Sequence, residues 1–202
     1  MGRPSNTAER RSQIAAGLMK VMAKRGYDGA SIAEIAAAAR LTPGLVHYHF
    51  KDKREILLQA LAELAARHDV RLAAALERAG GDARAQVNAF IDFHLGLGAS
   101  SDPQALACWI LLSGEALREP KVRVEYEKAL AAGVARLTAA IQRGVDAKTF
   151  RCADVKAAGA ALVAAIHGYF VLAATARALI PRGSAAGTTK KMAAGLLGVK
   201  GR

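Results

Sequence analysis

At 202 residues, 52% of them hydrophobic, the chain can bury a sizeable core as one large domain or as a small domain joined to a larger one. Only 5% of the residues are aromatic, alanine is abundant, and no stretch alternates β-branched with polar residues, so the composition argues against a β-sheet protein and predicts an all-α fold. The net charge of +12 is concentrated at the ends of the chain, with +6 over residues 1–54, +1 over 55–180 and +5 over 181–202. This distribution suggests a polyanionic partner such as DNA, although a solvated basic surface explains the charge equally well.

The first two predicted helices have clear start and stop signals. One helix runs from about Thr7, which can serve as its N-cap, to Arg25, and Gly26 ends it. A second helix starts at Ser31, and Glu34 three residues later completes the pattern of a capping box.

The third predicted helix follows almost at once. A tight connection at Arg40 and Leu41 leads to a helix that Thr42 caps and Pro43 opens, a position where a missing N–H costs nothing. This helix is short, because Asp52 begins the start signal of the next one. Two short helices joined by a tight turn and preceded by a longer helix are typical of a helix-turn-helix, although other three-helix packings share the pattern.

The rest of the chain is predicted to be helical as well, over residues 53–79, 83–97, 103–118, 121–145 and 154–180. We expect an N-terminal helix-turn-helix domain (1–54), a larger C-terminal helical bundle (55–182), and a basic flexible tail (183–202) whose only helical pattern covers 191–197. Residues 157–176 carry no formal charge and are long enough to span a bilayer, but they consist largely of weakly hydrophobic alanine and glycine. A buried packing helix is the favoured interpretation, with a membrane span as the alternative.

The starts of the short helices carry side chains suited to a phosphate group. Backbone N–H groups and the positive end of the helix dipole favour an anion at a helix N-terminus. Ser31, Thr42 and Lys53 lie at or near such positions, and His47 and Tyr48 place polar groups on the third helix, as a surface that faces a DNA groove requires. The helix-turn-helix is therefore predicted to bind DNA.

From residue 7 to residue 58 the sequence resembles the DNA-binding domain of TetR-family regulators. The resemblance is carried by Ile-Ala-Ala at 14–16, Arg-Gly-Tyr at 25–27, Ser-Ile-Ala-Glu-Ile-Ala at 31–36 and, above all, Leu-Thr-Pro-Gly-Leu-Val-His-Tyr-His-Phe-Lys-Asp-Lys at 41–53. The remainder of the chain fits the helical C-terminal domain of that family in length and arrangement. The stretch from residue 44 to residue 50 resembles the branch that regulates choline and glycine-betaine metabolism.

The resemblance implies that the third helix enters the major groove. In that placement Pro43, Gly44 and Leu45 approach the base edges, while the phosphate backbone is held by Ser31, Thr42, Tyr48 and Lys53. None of the three base-facing residues can form a bidentate pair with guanine or adenine. Readout is therefore expected to depend on thymine methyl groups, close backbone approach and DNA shape.

Two positions depart from the family pattern. Arg40 stands in the turn where the family usually has glycine, and a left-handed backbone there would cost about 1 kcal/mol relative to glycine. A phosphate contact from the guanidinium would offset that cost. His47 stands where the family favours tyrosine, and it joins the predicted DNA-binding residues.

The resemblance also implies that the C-terminal domain combines dimerisation with ligand binding. Small residues on the last long helix permit the close approach of another helix, either from a second copy or from the same chain: Gly159, Ala160, Ala164 and Gly168. Aromatic bulk with a few polar groups, as ligand sites have, is supplied by Phe90, Phe93, His94, Trp109, Ser113, His167 and Phe170. Ordinary core packing of these side chains is the alternative.

Motifs of enzymes and metal sites are not found. The sequence has no nucleophile elbow, HExxH, P-loop or dinucleotide fingerprint, and His47 and His49 are two residues apart on a helix, which turns them to different faces. Cys108 and Cys152 have no metal or disulfide spacing, and Cys108 is expected to be a small buried hydrophobe. We therefore expect no catalysis, no cofactor and no metal.

Together these observations predict a cytoplasmic, homodimeric transcriptional regulator. It is expected to be a repressor that binds a pseudo-palindromic operator in double-stranded DNA, is released by a small-molecule effector and does not bind membranes. The polar N-terminal residues, without an apolar signal-peptide core, fit that location. The alternative is a helical membrane-associated or architectural protein that responds to no ligand.

Overall fold

The computed structural model of the protein describes residues 6–96 and 103–199, and within these two ranges every regular element is helical. The helices are α1 (Asn6–Arg25), α2 (Ile32–Ala38), α3 (Pro43–His49), α4 (Lys53–Arg78), α5 (Ala83–Leu95), α6 (Pro103–Arg118), α7 (Pro120–Asp146), α8 (Val155–Thr175) and α9 (Ser184–Leu196), with a 3-10 turn at Arg177–Leu179. The all-α prediction is confirmed, although α1 begins one residue before Thr7, which is therefore not its N-cap.

The predicted caps of the two short helices are confirmed. Ser31 accepts a hydrogen bond from the backbone N–H of Glu34 at 3.2 Å, and the Glu34 carboxylate accepts one from the backbone N–H of Ser31 at 3.1 Å. These bonds from Ser31 hold the pKa of Glu34 below its usual range. Thr42 caps α3 by accepting from the N–H of Leu45 at 3.4 Å, and Pro43 occupies the first helical position. Both short helices therefore begin where the sequence places them.

The first of two compact units consists of residues 6–67 and 103–128 of the described chain. Its core takes apolar side chains from α1 to α4, and α1 lies so close to α2 that a Cβ at Gly17 would be 2.8 Å from the carbonyl oxygen of Ile35. Helix α6 belongs to the same core, because Cys108 and Leu112 are fully buried in it and the Cys108 thiol donates to the carbonyl of Met19 at 3.6 Å. The unit that carries the helix-turn-helix thus extends beyond the predicted boundary at residue 54.

The second unit consists of residues 68–96 and 129–199. Its core is built from the later part of α4 and α7 together with α5, α8 and α9, and its largest fully buried side chains are Leu72, Phe90, Ile91 and Leu137. The Arg136 guanidinium on α7 donates two parallel hydrogen bonds, of 2.9 and 2.7 Å, to the Asp69 carboxylate on α4. Because a bidentate guanidinium–carboxylate pair fixes both partners, it sets the register of these two helices.

Helix α9 covers residues 184–196, so the predicted flexible tail is wrong for residues 184–190, and the helix predicted over 191–197 is the second half of a longer one. Ala185, Thr189 and Ala193 are buried against α5 and α8, and the Lys190 ammonium lies 2.5 Å from the Asp92 carboxylate. These buried positions recur every fourth residue, but they are small, so they give a weak hydrophobic signal in the sequence. Helix α8 is correspondingly shorter than predicted, because its last turn ends at Thr175 and the 3-10 turn follows.

Candidate nucleic-acid interface and ligand site

The predicted DNA-facing residues form one side of α2, α3 and the turn between them. Exposed side chains or backbone are found at Ser31, Arg40, Thr42, Pro43, Gly44, His47 and Tyr48, while Leu45 and Lys53 are half-buried. Helix α3 is anchored from below by Val46 and Phe50, which are buried in the core of the first unit. Tyr48 is 80% exposed, so its ring is available to a partner.

The turn between α2 and α3 contains a left-handed residue. Arg40 has a φ of 57°, as its position in the place of a family glycine suggested, and its side chain is exposed. The conformation closes the turn, because it allows the N–H of Leu41 to donate to the carbonyl of Ala36 at 2.9 Å. From α1, the Gln13 amide donates to the carbonyl of Ala39 at 2.6 Å and so fixes the turn from the other side.

Arg11 on α1 holds the far end of α3, and sequence analysis did not find it. Its guanidinium donates to the carbonyl of His49 at 2.5 Å, lies 4.0 Å from the centre of the Phe50 ring and approaches Glu55 at 3.6 Å. The carbonyls at a helix C-terminus lack intrahelical partners, and a cation there also complements the helix dipole. Arg11 and Gln13 therefore fix the two ends of the recognition segment without facing it.

Lys53 makes contacts within the protein that the sequence did not predict. Its ammonium donates to the carbonyls of Tyr27 at 2.8 Å, Ala30 at 3.0 Å and Asp28 at 3.4 Å, and it lies 4.4 Å from the centre of the Tyr27 ring. A lysine has three N–H donors, so these three carbonyls can occupy all of them. Lys53 thus holds the loop that leads into the cap of α2, and its predicted phosphate contact stays a prediction.

The ring of Tyr27 is part of the same joint. Its burial, with the nearby Glu115 carboxylate as the next cause, raises the pKa of Tyr27 to about 12. The phenol is therefore neutral at every physiological pH, and it offers the Lys53 ammonium a ring face rather than a charge.

Five of the seven predicted ligand-site residues come together in the second unit. The His94 ring lies 4.4 Å from that of Phe90 and 6.3 Å from that of Phe170, which in turn lies 5.6 Å from His167. Phe93, at 5.0 Å from His94, and His68, at 5.1 Å, complete the group. These six side chains are called the histidine–aromatic cluster below. His68 was missed because nothing in its local sequence distinguishes it from a surface residue of α4.

The protonation of the cluster follows from its hydrogen bonds. The carbonyl of Phe90 can only accept, so His94 donates to it through Nδ1 at 2.8 Å, and the free lone pair on its Nε2 accepts from Nε2 of His68 at 3.2 Å. Burial lowers the pKa of His94 to about 3 and also lowers the pKa of His68. Both rings are therefore neutral at pH 7.

His167 presents its second nitrogen to the cluster. Its Nδ1 donates to the carbonyl of Val163 at 3.0 Å, so Nε2 is the ring nitrogen left for a partner. Asp69, the residue after His68 in the sequence, is held by Arg136. The cluster is thus suited to an apolar or cationic group that stacks on aromatic faces and donates a hydrogen bond.

The remaining two predicted ligand-site residues lie in the first unit. The Trp109 ring on α6 meets the edge of Tyr126 at 5.8 Å, and the Ser113 hydroxyl donates to the carbonyl of Ile110 at 2.7 Å. Burial raises the pKa of Tyr126. The predicted ligand set is therefore divided between the two units of the chain.

Helix α8 is largely exposed in the described chain, which differs from the predicted buried packing helix. It is long and apolar enough to cross a membrane, with a mean hydropathy of 1.8 over its most apolar window, yet only 22% of that window is buried. Gly159 faces α7, where a Cβ would be 2.5 Å from the Thr138 hydroxyl, whereas Ala160, Ala164 and Gly168 are exposed. Neighbouring α9 also has exposed residues without charge, at Thr188, Met192 and Gly195.

Two protein families match the N-terminal and the C-terminal part of the chain. The family described as bacterial regulatory proteins of the tetR family matches residues 14–60, and the one described as BetI-type transcriptional repressor, C-terminal, matches residues 83–198. No curated protein matches the chain significantly.

Solved structures share the fold over nearly the whole chain. A transcriptional regulator from Saccharomonospora viridis in complex with choline is 24% identical, with 95% of this chain and 96% of that chain covered and a TM-score of 0.80. A regulator from Pseudomonas aeruginosa PAO1 is 19% identical, with 98% and 97% covered and a TM-score of 0.82. FadR from Bacillus subtilis in complex with stearoyl-CoA is 18% identical, with 92% and 98% covered and a TM-score of 0.76.

Proposed function

Because this chain belongs to the TetR family of bacterial regulatory proteins, with a C-terminal part of the BetI type, we propose that it is a homodimeric repressor that a small molecule releases from its operator. Members of the family are soluble, generally non-enzymatic DNA-binding regulators that respond to small effectors and typically act as dimers. The proposal includes a cytoplasmic location and the absence of catalysis.

The observation that carries the proposal is the exposed start of α3. Thr42, Pro43 and Gly44 project from a helix whose far side is anchored, and Arg40 extends from the turn beside them. A helix of seven residues contacts too few bases for specificity, so two copies on a pseudo-palindromic site are required. In the proposed complex Ser31, Arg40, Thr42, His47, Tyr48 and Lys53 hold phosphates, and Pro43, Gly44 and Leu45 approach the bases.

The exposed face of α8 and α9 supports the proposed homodimer. Ala160, Ala164 and Gly168 present a surface without charge and with little side-chain bulk, so a second copy of the same helix can approach closely. A solvent-exposed apolar face of this length is otherwise costly for a monomer. Sedimentation of the purified protein tests the dimer, and flotation with liposomes tests the alternative that α8 contacts a membrane.

The proposed ligand site is the histidine–aromatic cluster of the second unit, while a part for Trp109 and Ser113 in ligand binding stays a prediction from the sequence. Its aromatic faces, with the neutral imidazoles of His68 and His94, accommodate an apolar or quaternary-ammonium compound. The related regulator from Saccharomonospora viridis binds choline, so choline is the first compound to test.

Release from DNA requires that the ligand favour one state of the protein over another. Helices α4 and α7 each begin in the unit that carries the helix-turn-helix and end in the other unit. A ligand that shifts either helix can therefore change the spacing of the two recognition helices in a dimer.

The decisive experiment begins with sequencing of the DNA fragments that the purified protein retains, which defines an operator. Gly44→Asp should then weaken operator binding by at least about 100-fold, since it places a carboxylate against the base edges in the major groove, where the negative potential of the DNA repels it. The variant should fold normally, because a Cβ at Gly44 meets no atom within 4 Å. Gly114→Asp is the matched control, as Gly114 is equally open but lies on α6, and its operator affinity should be unchanged.

The effector is tested by titrating choline and other candidate metabolites while Trp109 fluorescence and operator affinity are followed together. A ligand that changes the fluorescence but leaves operator affinity unchanged would contradict the proposed release. A full response in the Trp109→Phe variant, followed through operator affinity, would remove Trp109 from the site.

A further inference from the structure

A cavity lies between α5, α9 and the loop after α7, and none of its lining residues belongs to the histidine–aromatic cluster. Its volume is about 260 Å³. The floor is apolar and is formed by Val87, Phe150, Ala193, Leu197 and Val199. The rim is basic and polar, with Arg84, Asn88, Lys190 and Lys191.

The walls of this cavity are fixed by specific contacts. The Phe150 ring packs against α7 at Gly144, where a Cβ would be 2.1 Å from the ring. The N–H of Arg151 donates to the carbonyl of Leu197 at 2.8 Å and ties the loop to the end of α9. A site with fixed walls loses little conformational entropy when it binds a ligand.

The charges around the opening are unbalanced. Lys190 at the rim is paired with the carboxylate of Asp92 at 2.5 Å, whereas the residues that line the cavity include no acidic side chain. The exposed cations Arg84 and Lys191 have no ion-pair partner among the residues that the structure describes. An apolar floor beneath two such cations matches a molecule with an apolar tail and one anionic end.

We propose that this cavity binds a medium-chain fatty acid, with the carboxylate between Arg84 and Lys191 and the alkyl tail on the floor formed by Val87 and Phe150. The volume has room for about nine groups the size of a methylene or a water molecule, which corresponds to octanoate or decanoate. The site does not depend on the proposed DNA function, since neither its residues nor its chemistry belong to that surface.

Isothermal titration of the full-length protein with decanoate, below its micelle-forming concentration, tests the proposal. Saturable binding of one molecule per chain is expected, with affinity rising about fourfold per methylene from hexanoate to octanoate. Arg84→Gln and Lys191→Gln should each weaken binding by about fivefold, the upper range for an exposed ion pair. Arg182→Gln and Lys156→Gln, exposed cations of the same unit outside the cavity, should leave it unchanged.

Two related compounds separate a carboxylate site from general stickiness. Decanol and decyltrimethylammonium have the same tail without the anion, and each should bind more weakly than decanoate. Equal binding of either compound, or full decanoate affinity in both cavity variants, would overturn the proposal. So would binding that occurs to anionic vesicles but not to decanoate in solution, which would indicate a membrane surface instead.

Discussion

Replacing Arg40 with glycine should stabilise the free protein and at the same time weaken its binding to DNA. The backbone φ of 57° at Arg40 is costly for any residue with a Cβ, by about 1 kcal/mol relative to glycine. Removing that cost should raise the melting temperature by about 2–4 °C, as expected for a chain of this size. The arginine is exposed and makes no contact that the fold needs, so little stability is lost with its side chain.

The effect on DNA has the opposite sign. If each copy in a dimer loses one phosphate contact, the slope of log affinity against log salt should fall by about 1.8 in magnitude, and affinity at low salt should drop. Arg40→Ala is the matched control, because it removes the guanidinium but keeps the Cβ at the same φ. It should lose the same salt dependence as Arg40→Gly without gaining stability.

Urea unfolding followed by circular dichroism measures the first effect, and fluorescence anisotropy of an operator between 50 and 200 mM salt measures the second. Equal stability of the glycine and alanine variants would show that the left-handed backbone carries no strain. A wild-type salt slope in both variants would show that Arg40 does not touch the phosphates.

Three further predictions address the joint at Lys53, the helix face and the cluster. Lys53→Met should lower the free energy of unfolding by about 1–3 kcal/mol, because three loop carbonyls lose a charged donor. If Lys53 contacted only phosphate, the variant would instead change the salt slope of DNA binding and leave the free energy of unfolding in urea unchanged. Gly168→Arg should dissociate the dimer in sedimentation without unfolding the chain, since a Cβ at Gly168 has no atom within 4 Å. Gly159→Val should instead unfold more easily, because its side chain would clash with Thr138. A Gly168→Arg protein that dimerises with wild-type affinity would exclude this face as the dimer interface. The pKa of His94 is lowered to about 3 in the folded protein, so its contribution to the free energy of unfolding is fully present above the unfolded pKa of about 6.5 and is lost as the pH falls toward 3. The free energy of unfolding of His94→Gln, measured in urea, should therefore decline less steeply below pH 6.5 than that of the wild type. Parallel pH profiles for the two proteins would contradict that reasoning.

The parts of the structure that the sequence predicted are those whose signals are local. Ser31 and Glu34 are three residues apart, as are Thr42 and Leu45, so the caps of α2 and α3 can be read directly. The left-handed turn at Arg40 was expected from the family resemblance instead, because the family usually has glycine at this position.

The parts that the sequence did not predict depend on partners far apart in the chain. Lys53 binds carbonyls 23 to 26 residues away and Arg11 binds one 38 residues away, and the periodicity of a helix says nothing about such pairs. His68 joined the ligand candidates only because α4 and α5 bring it to His94. The first half of α9 was missed because its buried positions are alanine and threonine, whose burial leaves little trace in hydropathy.

The inclusion of α6 in the first unit has a practical meaning for anyone who wishes to build hybrid regulators. An exchange of residues 1–54 alone would graft a recognition helix onto a foreign α6, and the recipient's side chains would have to fill the space that Cys108 and Leu112 fill here. The transplantable piece is instead discontinuous: it comprises residues 6–67 together with 103–128. A hybrid that carries both segments keeps a complete core beneath its operator specificity.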